Sequence, residues 1–269
     1  MKLNKCIDSF AQEGYVVLDL LSKEELLVFK NLVLSKLKEL LNNKDVTFES
    51  FHKYIQNDEQ KIDIQYQINK MIWDEKLHHG LMKENLKLYY NLIGKDLDLQ
   101  SQPYLRVARP NCPQDNIGFH RDSFYGSSPY EISSFIPLVN LDEKNALQIE
   151  PQSHKKGPIP YTKIQSSDVV KGDKKSQLGF QYAPKHIDKD YHINKIPVPL
   201  KFGQVLIFGL GVIHGQENNE SSITRWSIDI RVKNSFAGSN VKSSYYESFT
   251  LSPVGESARI FYENNPLEN

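Results

Sequence analysis

The chain has 269 residues, of which 33 are Lys or Arg and 33 are Asp or Glu, so its formal net charge is zero. This balance gives no electrostatic reason to expect nucleic acid or an anionic membrane as partner, and no apolar run approaches the roughly 20 residues that a membrane span needs. Two cysteines are too few for a disulfide framework, and the N-terminus lacks the apolar core of a signal peptide. We therefore expect a cytoplasmic protein, a single domain over residues 1–269, that acts on a small molecule.

The first hundred residues are predicted to be mostly helical. A helix at residues 3–12 precedes a short apolar strand at 15–21, and a second helix runs from Ser22 to about Leu41. Ser22 and Glu25 have the spacing of a capping box, and apolar residues recur behind them with helical periodicity. Further helices are predicted at 61–73 and 74–92, and Gly94 supplies a stop. Residues 1–100 should therefore support a sheet formed further along the chain.

From Pro103 onward, short segments rich in Val, Ile, Phe and Tyr alternate with Pro and Gly, which predicts strands. The predicted strands are 104–109, 133–140, 147–150, 197–200, 205–208 and 224–232, within a β core at 101–235. Residues 155–196 are polar and irregular, which predicts an insertion that covers a site like a lid. Residues 236–269 form a C-terminal extension whose aromatic residues should pack on the domain.

Two histidines and one aspartate have the spacing of metal ligands. His120 and Asp122 are separated by one residue, so both side chains leave an extended segment on the same side. His214 follows an apolar strand much later in the chain and can meet them there. Two imidazoles and one carboxylate on one face of a metal leave positions open, as in non-haem iron(II) oxygenases, although Mn, Co, Ni and Zn accept the same ligands. An HxD tripeptide also occurs by chance, so a structural role stays open at this point.

The segment 225–232 alternates polar and apolar side chains, which places Arg225, Ser227, Asp229 and Arg231 on one face of a strand. In a barrel covered by helices this face points inward, where a buried Arg needs an anionic partner. A guanidinium matches a carboxylate in shape, and Ser227 adds a hydroxyl beside it. The partner of Arg225 is either a carboxylate ligand or a protein carboxylate, and the alternation favours neither.

Four motifs occur in order along the chain: FAQEGYVVLDLLSKEEL, HRDSFYG, LDEKNALQIEPQSHKKG and FGQVLIFGLGVIHGQENNESSITR. Together they resemble the phytanoyl-CoA dioxygenase-like family of Fe(II)/2-oxoglutarate-dependent oxygenases, with its HxDxxY segment, its PGSH turn, and its distal His followed by Arg. Asn145, Gln152 and Gln204 differ from the residues usual in that family, none of them at a ligand position.

The resemblance implies a mainly β fold with helical elaboration, a double-stranded β-helix (jelly-roll, cupin-like) barrel with N-terminal helices packed on its outer sheet. It implies that His120, Asp122 and His214 bind iron(II) and act in catalysis through it, and that Arg225, with a weaker contribution from Ser227, binds 2-oxoglutarate. The third reactant is dioxygen.

The implied activity is that of a dioxygenase, an oxidoreductase that hydroxylates a small biosynthetic intermediate and releases succinate and carbon dioxide. Hydroxylation is preferred because Asp122 stands where related halogenases have a small residue. A carbohydrate-related substrate is one option. A non-redox metal-dependent cupin-type enzyme and a catalytically silent binding protein on the same barrel are the alternatives. The oligomeric state is left open.

Four residues are predicted to line the substrate pocket because they lie close in sequence to the metal ligands: Tyr104, Arg106, Phe124 and Tyr125. Alternation does not choose between Arg106 and Arg109, since each face of that strand carries an arginine. His154 belongs to the PGSH-like turn, where we expect it to make a structural hydrogen bond.

Overall fold

The structure is a computed structural model that describes residues 3–125, 127–163, 174–178 and 185–265. Its helices are α1 (Leu3–Glu13), α2 (Lys23–Leu41), α3 (Asp58–Asp74), α4 (Leu77–Glu84), α5 (Leu86–Ile93), α6 (Lys174–Gln177) and α7 (Pro253–Asn264). Its strands are β1 (Tyr15–Asp19), β2 (Leu97–Gln100), β3 (Tyr104–Ala108), β4 (Glu131–Pro137), β5 (Leu147–Ile149), β6 (Tyr161–Lys163), β7 (Lys185–Ile187), β8 (Ile196–Val198), β9 (Gln204–Gly209), β10 (His214–Gly215), β11 (Arg225–Asn234) and β12 (Tyr246–Thr250). Short 3-10 turns lie at Phe51–Tyr54, Pro113–Asp115, Asp122–Tyr125, Ser153–Lys155 and Ser243–Tyr245.

The strands form two main antiparallel sheets. The larger has the order β1, β9, β4, β11, β2, β12, and β3 also pairs with β11. The smaller has the order β10, β5, β8, while β6 and β7 form a separate hairpin pair. The predicted mainly β fold with helical elaboration is therefore confirmed. Within the described residues, no helix has both the length and the apolar character needed to cross a bilayer.

Strand β11 lies in the middle of the larger sheet. It pairs with β4 along one edge and with β3 and then β2 along the other. Its Trp226, Ile228 and Ile230 are fully buried in the main core. The Trp226 indole donates to the Phe48 carbonyl at 3.0 Å, and its ring meets the Phe48 ring edge-on. The apolar face of β11 thus packs outward, and its polar face is left for the interior, as the alternation predicts.

Helix α3 packs on the sheet through two buried amides. The Gln65 side chain donates to the Leu105 carbonyl at 2.6 Å, and the Asn69 side chain accepts from the Leu105 amide at 2.9 Å. These bonds satisfy the backbone of β3 at Leu105 on the edge that no strand among the described residues covers. The helical support expected from the first hundred residues is therefore present.

The single helix predicted at 74–92 is two helices, α4 and α5, that meet at Asn85. The Asn85 side-chain oxygen accepts from the backbone amides of Leu21 and Ser22, at 2.7 and 3.2 Å. Because Asn85 caps the start of α2 in this way, the predicted capping box is only half formed. The Ser22 hydroxyl accepts from the Glu25 amide as expected, but the Ser22 amide donates to the Asn85 side-chain oxygen and not to the Glu25 side chain.

Strands β1, β2 and β12 join the larger sheet from outside residues 101–235. Tyr246 of β12 lies opposite Gln100 of β2, so the extension joins the sheet as a strand. The prediction that its aromatic residues pack on the domain is wrong for Phe261 and Tyr262 of α7, which are more than half exposed because α7 turns their side of the helix to solvent. The division of the chain into support, core and extension remains a prediction.

Arg109 belongs to a buried ion-pair network under α3. Its guanidinium donates to Asp115 at 2.8 Å and to Asp58 at 2.6 Å. The Lys61 ammonium lies 3.2 Å from Asp115, and its side chain is 1% exposed. Burial lowers the pKa of Lys61 to about 8, against the opposing attraction of Asp115.

We expect the stability of the protein to rise with pH through this network. Between the folded pKa of about 8 and the ordinary value of 10.5, the unfolded chain keeps a proton on Lys61 that the folded chain has lost. The free energy of unfolding then increases with pH. The free energy of unfolding, measured with urea from pH ~7 to ~10, should therefore increase more in wild type than in Lys61→Met. Lys87→Met, at an exposed position, is the control, and a constant difference between wild type and Lys61→Met would contradict the assignment.

Candidate metal centre and adjoining cavities

The two predicted histidines are brought together by their own backbones. The His120 amide donates to the His214 carbonyl at 3.0 Å, and the His214 amide returns a bond to the His120 carbonyl at 3.1 Å. Their ring centroids are 4.5 Å apart. His120 Nδ1 faces the Gly118 carbonyl at 2.7 Å, and His214 Nδ1 faces the Val212 carbonyl at 3.0 Å. Each carbonyl favours a proton on Nδ1, which leaves both Nε2 atoms as acceptors toward a metal.

Asp122 completes the group. Its Oδ1 lies 3.4 Å from His120 Nε2 and 3.8 Å from His214 Nε2. One ligand atom from each of the three residues falls within 4.8 Å of the others, and all three residues are buried. The structure therefore forms a candidate metal site of two imidazoles and one carboxylate, a donor set that suits iron(II).

The charge states of Asp122 and His214 also suit a metal. Burial alone would raise the pKa of Asp122, but Arg231, His214 and His120 more than offset it and hold that pKa well below its usual range. Burial, with help from His120, lowers the pKa of His214 to about 4. At neutral pH the site thus offers an ionised carboxylate and a neutral His214 imidazole, the forms that coordinate metals.

Arg231 was not predicted as part of this site. Its Nη2 donates to Asp122 Oδ1 at 2.6 Å, and its Nη1 donates to the Tyr245 hydroxyl at 3.0 Å. The alternation along β11 placed Arg231 on the inner face, but no local pattern shows that the face reaches Asp122. Arg231 orients the carboxylate of the triad.

Arg225 is 2% exposed and has no carboxylate partner among the described residues. Its Nη1 donates to the Asn145 carbonyl at 3.4 Å, its Nη2 donates to the Gln216 side-chain oxygen, and its Nε has no partner. Burial lowers the pKa of Arg225 to about 10, which still leaves it charged at neutral pH. Asp229, the protein carboxylate on the same strand face, is bound instead by Arg106 Nε at 3.0 Å.

A cavity connects Arg225 to the candidate metal site. Its walls include all three residues of the triad together with Arg225, Gln216, Asp229, Arg231, Tyr104 and Arg106. Tyr104 and Arg106 line this cavity and Arg109 does not, while the binding of substrate by Tyr104 and Arg106 stays a prediction. Ser227 is fully buried one strand repeat from Arg225 and its hydroxyl has no partner, but it is not among the wall residues.

The remaining predicted residues lie elsewhere or outside the described part. Phe124 packs beside Tyr161, with ring centroids 5.7 Å apart, in a small apolar cluster with Ile213. It is not on the wall of the cavity that holds the triad, and its role in substrate binding stays a prediction. The side chain of Tyr125 lies outside the part of the chain that the structure describes.

His154 lies beside α1 and away from the triad. Its Nε2 faces the Ala11 carbonyl at 3.2 Å. Gly14 has a φ of +83°, and a Cβ there would come within 2.5 Å of His154 Nδ1. The imidazole thus packs where only glycine fits, in the structural position expected for it.

Part of the insertion at 155–196 reaches the site. The Leu178 carbonyl accepts from Arg106 Nη1 at 2.8 Å. Residues 164–173 and 179–184 lie outside the described residues, so the lid at 155–196 remains a prediction.

Solved structures share the fold over most of the chain. They include ThoJ, a non-haem monooxygenase in its apo form (TM-score 0.58, 13% identity, 93% of this chain and 85% of that chain). The epimerase SnoN, in complex with Fe3+, alpha-ketoglutarate and nogalamycin RO, is similar (TM-score 0.54, 14% identity, 93% and 95%). EvdO2 from Micromonospora carbonacea var. aurantiaca is a third (TM-score 0.55, 12% identity, 88% and 93%). None of the curated proteins matches the chain in sequence.

These likenesses confirm the predicted double-stranded β-helix. A buried His-Asp-His group in this fold is the donor set that non-haem iron enzymes use. The model of the phytanoyl-CoA dioxygenase family matches residues 10–227. The chain therefore belongs to the phytanoyl-CoA dioxygenase family, a family of 2-oxoglutarate-dependent non-haem iron enzymes, as the motifs predicted.

Proposed function

We propose that the protein hydroxylates a small biosynthetic intermediate, with iron(II) held by His120, Asp122 and His214 and 2-oxoglutarate held by Arg225. The observation that carries this proposal is that the Arg225 guanidinium is buried and forms no ion pair with the described residues. Among the described residues, this buried guanidinium feels Asp229 only at a distance and forms no direct ion pair, so an anionic ligand would complete its surroundings. The cavity in which it lies also contains the triad.

The residues present fit both groups. The triad offers two nitrogen donors and one carboxylate oxygen that converge on one point. Arg225 Nε lies on this wall as a buried polar atom with no hydrogen-bond partner among the described residues, as expected where a carboxylate is received. When bound, iron and 2-oxoglutarate would activate dioxygen, the oxidant: one oxygen atom would go to the substrate C–H bond and the other to succinate, with carbon dioxide released.

The side chains of the protein position these groups and exclude water. The Gln216 and Asn145 oxygens fix the plane of the Arg225 guanidinium before the ligand arrives, which lowers the entropy lost on binding. Arg231 fixes Asp122 in the same way. Because Asp122 supplies a carboxylate at the position that halogenases leave to a small residue, we propose hydroxylation and not chlorination.

The substrate we propose is polar, and a carbohydrate-related intermediate is within this range. Support comes from the wall of the cavity near the triad, where Tyr104, Arg106 and Asp229 present hydrogen-bonding groups. Asp229 Oδ1 has no partner within the described residues, so a substrate hydroxyl can donate to it.

Succinate formation from 2-oxoglutarate, measured with and without Fe(II), tests the proposal. We expect slow succinate release that requires iron and oxygen, and faster release when a cell extract contains the substrate. Mass spectrometry of that extract should then show a product that has gained one oxygen atom from labelled dioxygen. Turnover with Zn(II) in the absence of 2-oxoglutarate would favour the cupin-type enzyme, and absence of any turnover with iron bound would favour the silent binding protein.

A further inference from the structure

A second cavity, with a volume of about 370 Å³, adjoins the one that contains the triad. The two share three wall residues, Tyr104, Arg106 and Arg231. The other walls of the second cavity come from α3, from the segment after β2, from α6 and from the segment between β11 and β12: Trp73, Ser101, Gln102, Gln177, Val241, Lys242 and Tyr245. None of these seven residues belongs to the candidate metal site or to the Arg225 site.

The charge on this wall has one sign. Arg106, Arg231 and Lys242 are basic, and no Asp or Glu is among the described residues that line the cavity. The carboxylates that pair with the two arginines, Asp229 and Asp122, line the inner cavity instead. Lys242 is exposed at the rim and forms no ion pair in the part of the chain that the structure describes. Because both arginines are paired with carboxylates, Lys242 supplies the charge with which this wall attracts an anion.

The same wall carries three aromatic residues, Trp73, Tyr104 and Tyr245. The Arg106 guanidinium lies over the Tyr104 ring, with its Cζ 4.7 Å from the ring centroid. Aromatic side chains offer flat apolar area to a ring, and a few polar groups then fix its orientation. The wall is therefore complementary to a ring that bears a negative group.

We propose that this second cavity binds the part of the substrate that does not react, and that this part is a ring bearing a phosphate or carboxylate. Lys242 pairs with the anion at the rim, and the rest of the molecule extends past Arg106 and Arg231 toward the triad. The orientation of the substrate in this inference rests on the proposed function, which places the reaction in the inner cavity.

Tryptophan fluorescence measures binding here directly. The chain has two tryptophans, of which Trp73 lines the cavity and Trp226 is fully buried in the core. The iron-free protein is titrated with phenyl phosphate, phenylacetate, benzyl alcohol and inorganic phosphate. We expect both aromatic anions to change the emission saturably, with neutral benzyl alcohol and ring-free phosphate each binding about tenfold more weakly or worse, because each lacks one of the two contacts.

Two variants place the anion. Lys242→Gln should weaken both aromatic anions by roughly two- to fivefold, the range for one exposed ion pair, and leave benzyl alcohol unchanged. Lys87→Gln, at an exposed lysine on α5, is the matched control and should change nothing. Trp73→Phe should remove the signal, since Trp226 does not contact the cavity.

Three results would overturn the inference. Equal affinity for benzyl alcohol and phenyl phosphate would show that the cavity does not recognise the anionic group. Equal affinity for inorganic phosphate and phenyl phosphate would show that it does not recognise the ring. Binding that survives Lys242→Gln unchanged but is lost in Arg225→Ala would place the anion at Arg225. Because the titration uses no iron and no turnover, a protein that binds these anions but forms no succinate would count against the proposed function alone.

Discussion

Asp122→Asn should abolish iron binding and succinate formation together. The change keeps the size of the side chain but removes the only charge among the three proposed ligands, and it leaves the partly buried Arg231 without its carboxylate at 2.6 Å. Loss of residues that merely orient metal ligands costs about 10- to 100-fold in affinity, so loss of a ligand should exceed roughly 100-fold. His120→Ala and His214→Ala should behave alike, because each removes one of two nitrogen donors.

Anaerobic titration with Fe(II), or with Co(II) followed by its absorption spectrum, measures this loss apart from activity. Circular dichroism shows whether the variants fold. Glu217→Gln serves as a matched control, since Glu217 follows His214 closely in sequence but pairs with Lys195 at the surface. Full metal occupancy and turnover in all three site variants would show that the metal is bound elsewhere.

Arg225→Ala should raise the concentration of 2-oxoglutarate that turnover requires, while iron stays bound. Removal of one partner from a buried charge pair costs about 2–5 kcal/mol, which is roughly 30-fold to several thousand-fold in affinity. Arg225→Lys should be intermediate, because it restores the charge without the two-pronged geometry. The Gln216 side chain, which now accepts from Arg225, would lose its partner in the Ala variant.

Titration of 2-oxoglutarate against both variants, alongside melting curves, separates a binding role from a structural one. A structural arginine would lower the melting temperature in the Ala variant and leave the apparent affinity for 2-oxoglutarate as it was. That result in a folded variant would remove Arg225 from the site. Ser227→Ala, one strand repeat away, should have a much smaller effect, because its hydroxyl is not on the cavity wall.

Local patterns in the sequence predicted the parts of the site that lie on one element. The HxD spacing placed His120 beside Asp122, and the alternation along β11 placed Arg225 and Arg231 on one inner face. Contacts between distant elements could not be predicted in this way. The bond from Arg231 to Asp122 joins residues 109 positions apart, and neither residue carries a signal for the other.

For the same reason, the sequence could not predict which of Arg106 and Arg109 faces the cavity. Both lie on or just after β3, and alternation puts them on opposite faces without saying which face is inside. The two arginines differ in partners that lie far away in the sequence. Arg109 donates to Asp58 on α3, whereas Arg106 donates to Asp229 on the inner face of β11. Likewise, the break at Asn85 depends on the backbone of Leu21 and Ser22, which a pattern within 74–92 does not contain.

Strand β11 ties the chemistry of this protein to its folding. Arg225 and Trp226 are neighbours, one turned to the proposed cosubstrate and the other fully buried under the helices. Because side chains alternate with a period of two, a slip of one residue would exchange them, driving a charge into the core and the indole into the active site. Pairing along both edges of β11 prevents such a slip. A chain that folds in this register therefore places Arg225 and Arg231 on the inner face of the barrel in the same step that forms the core.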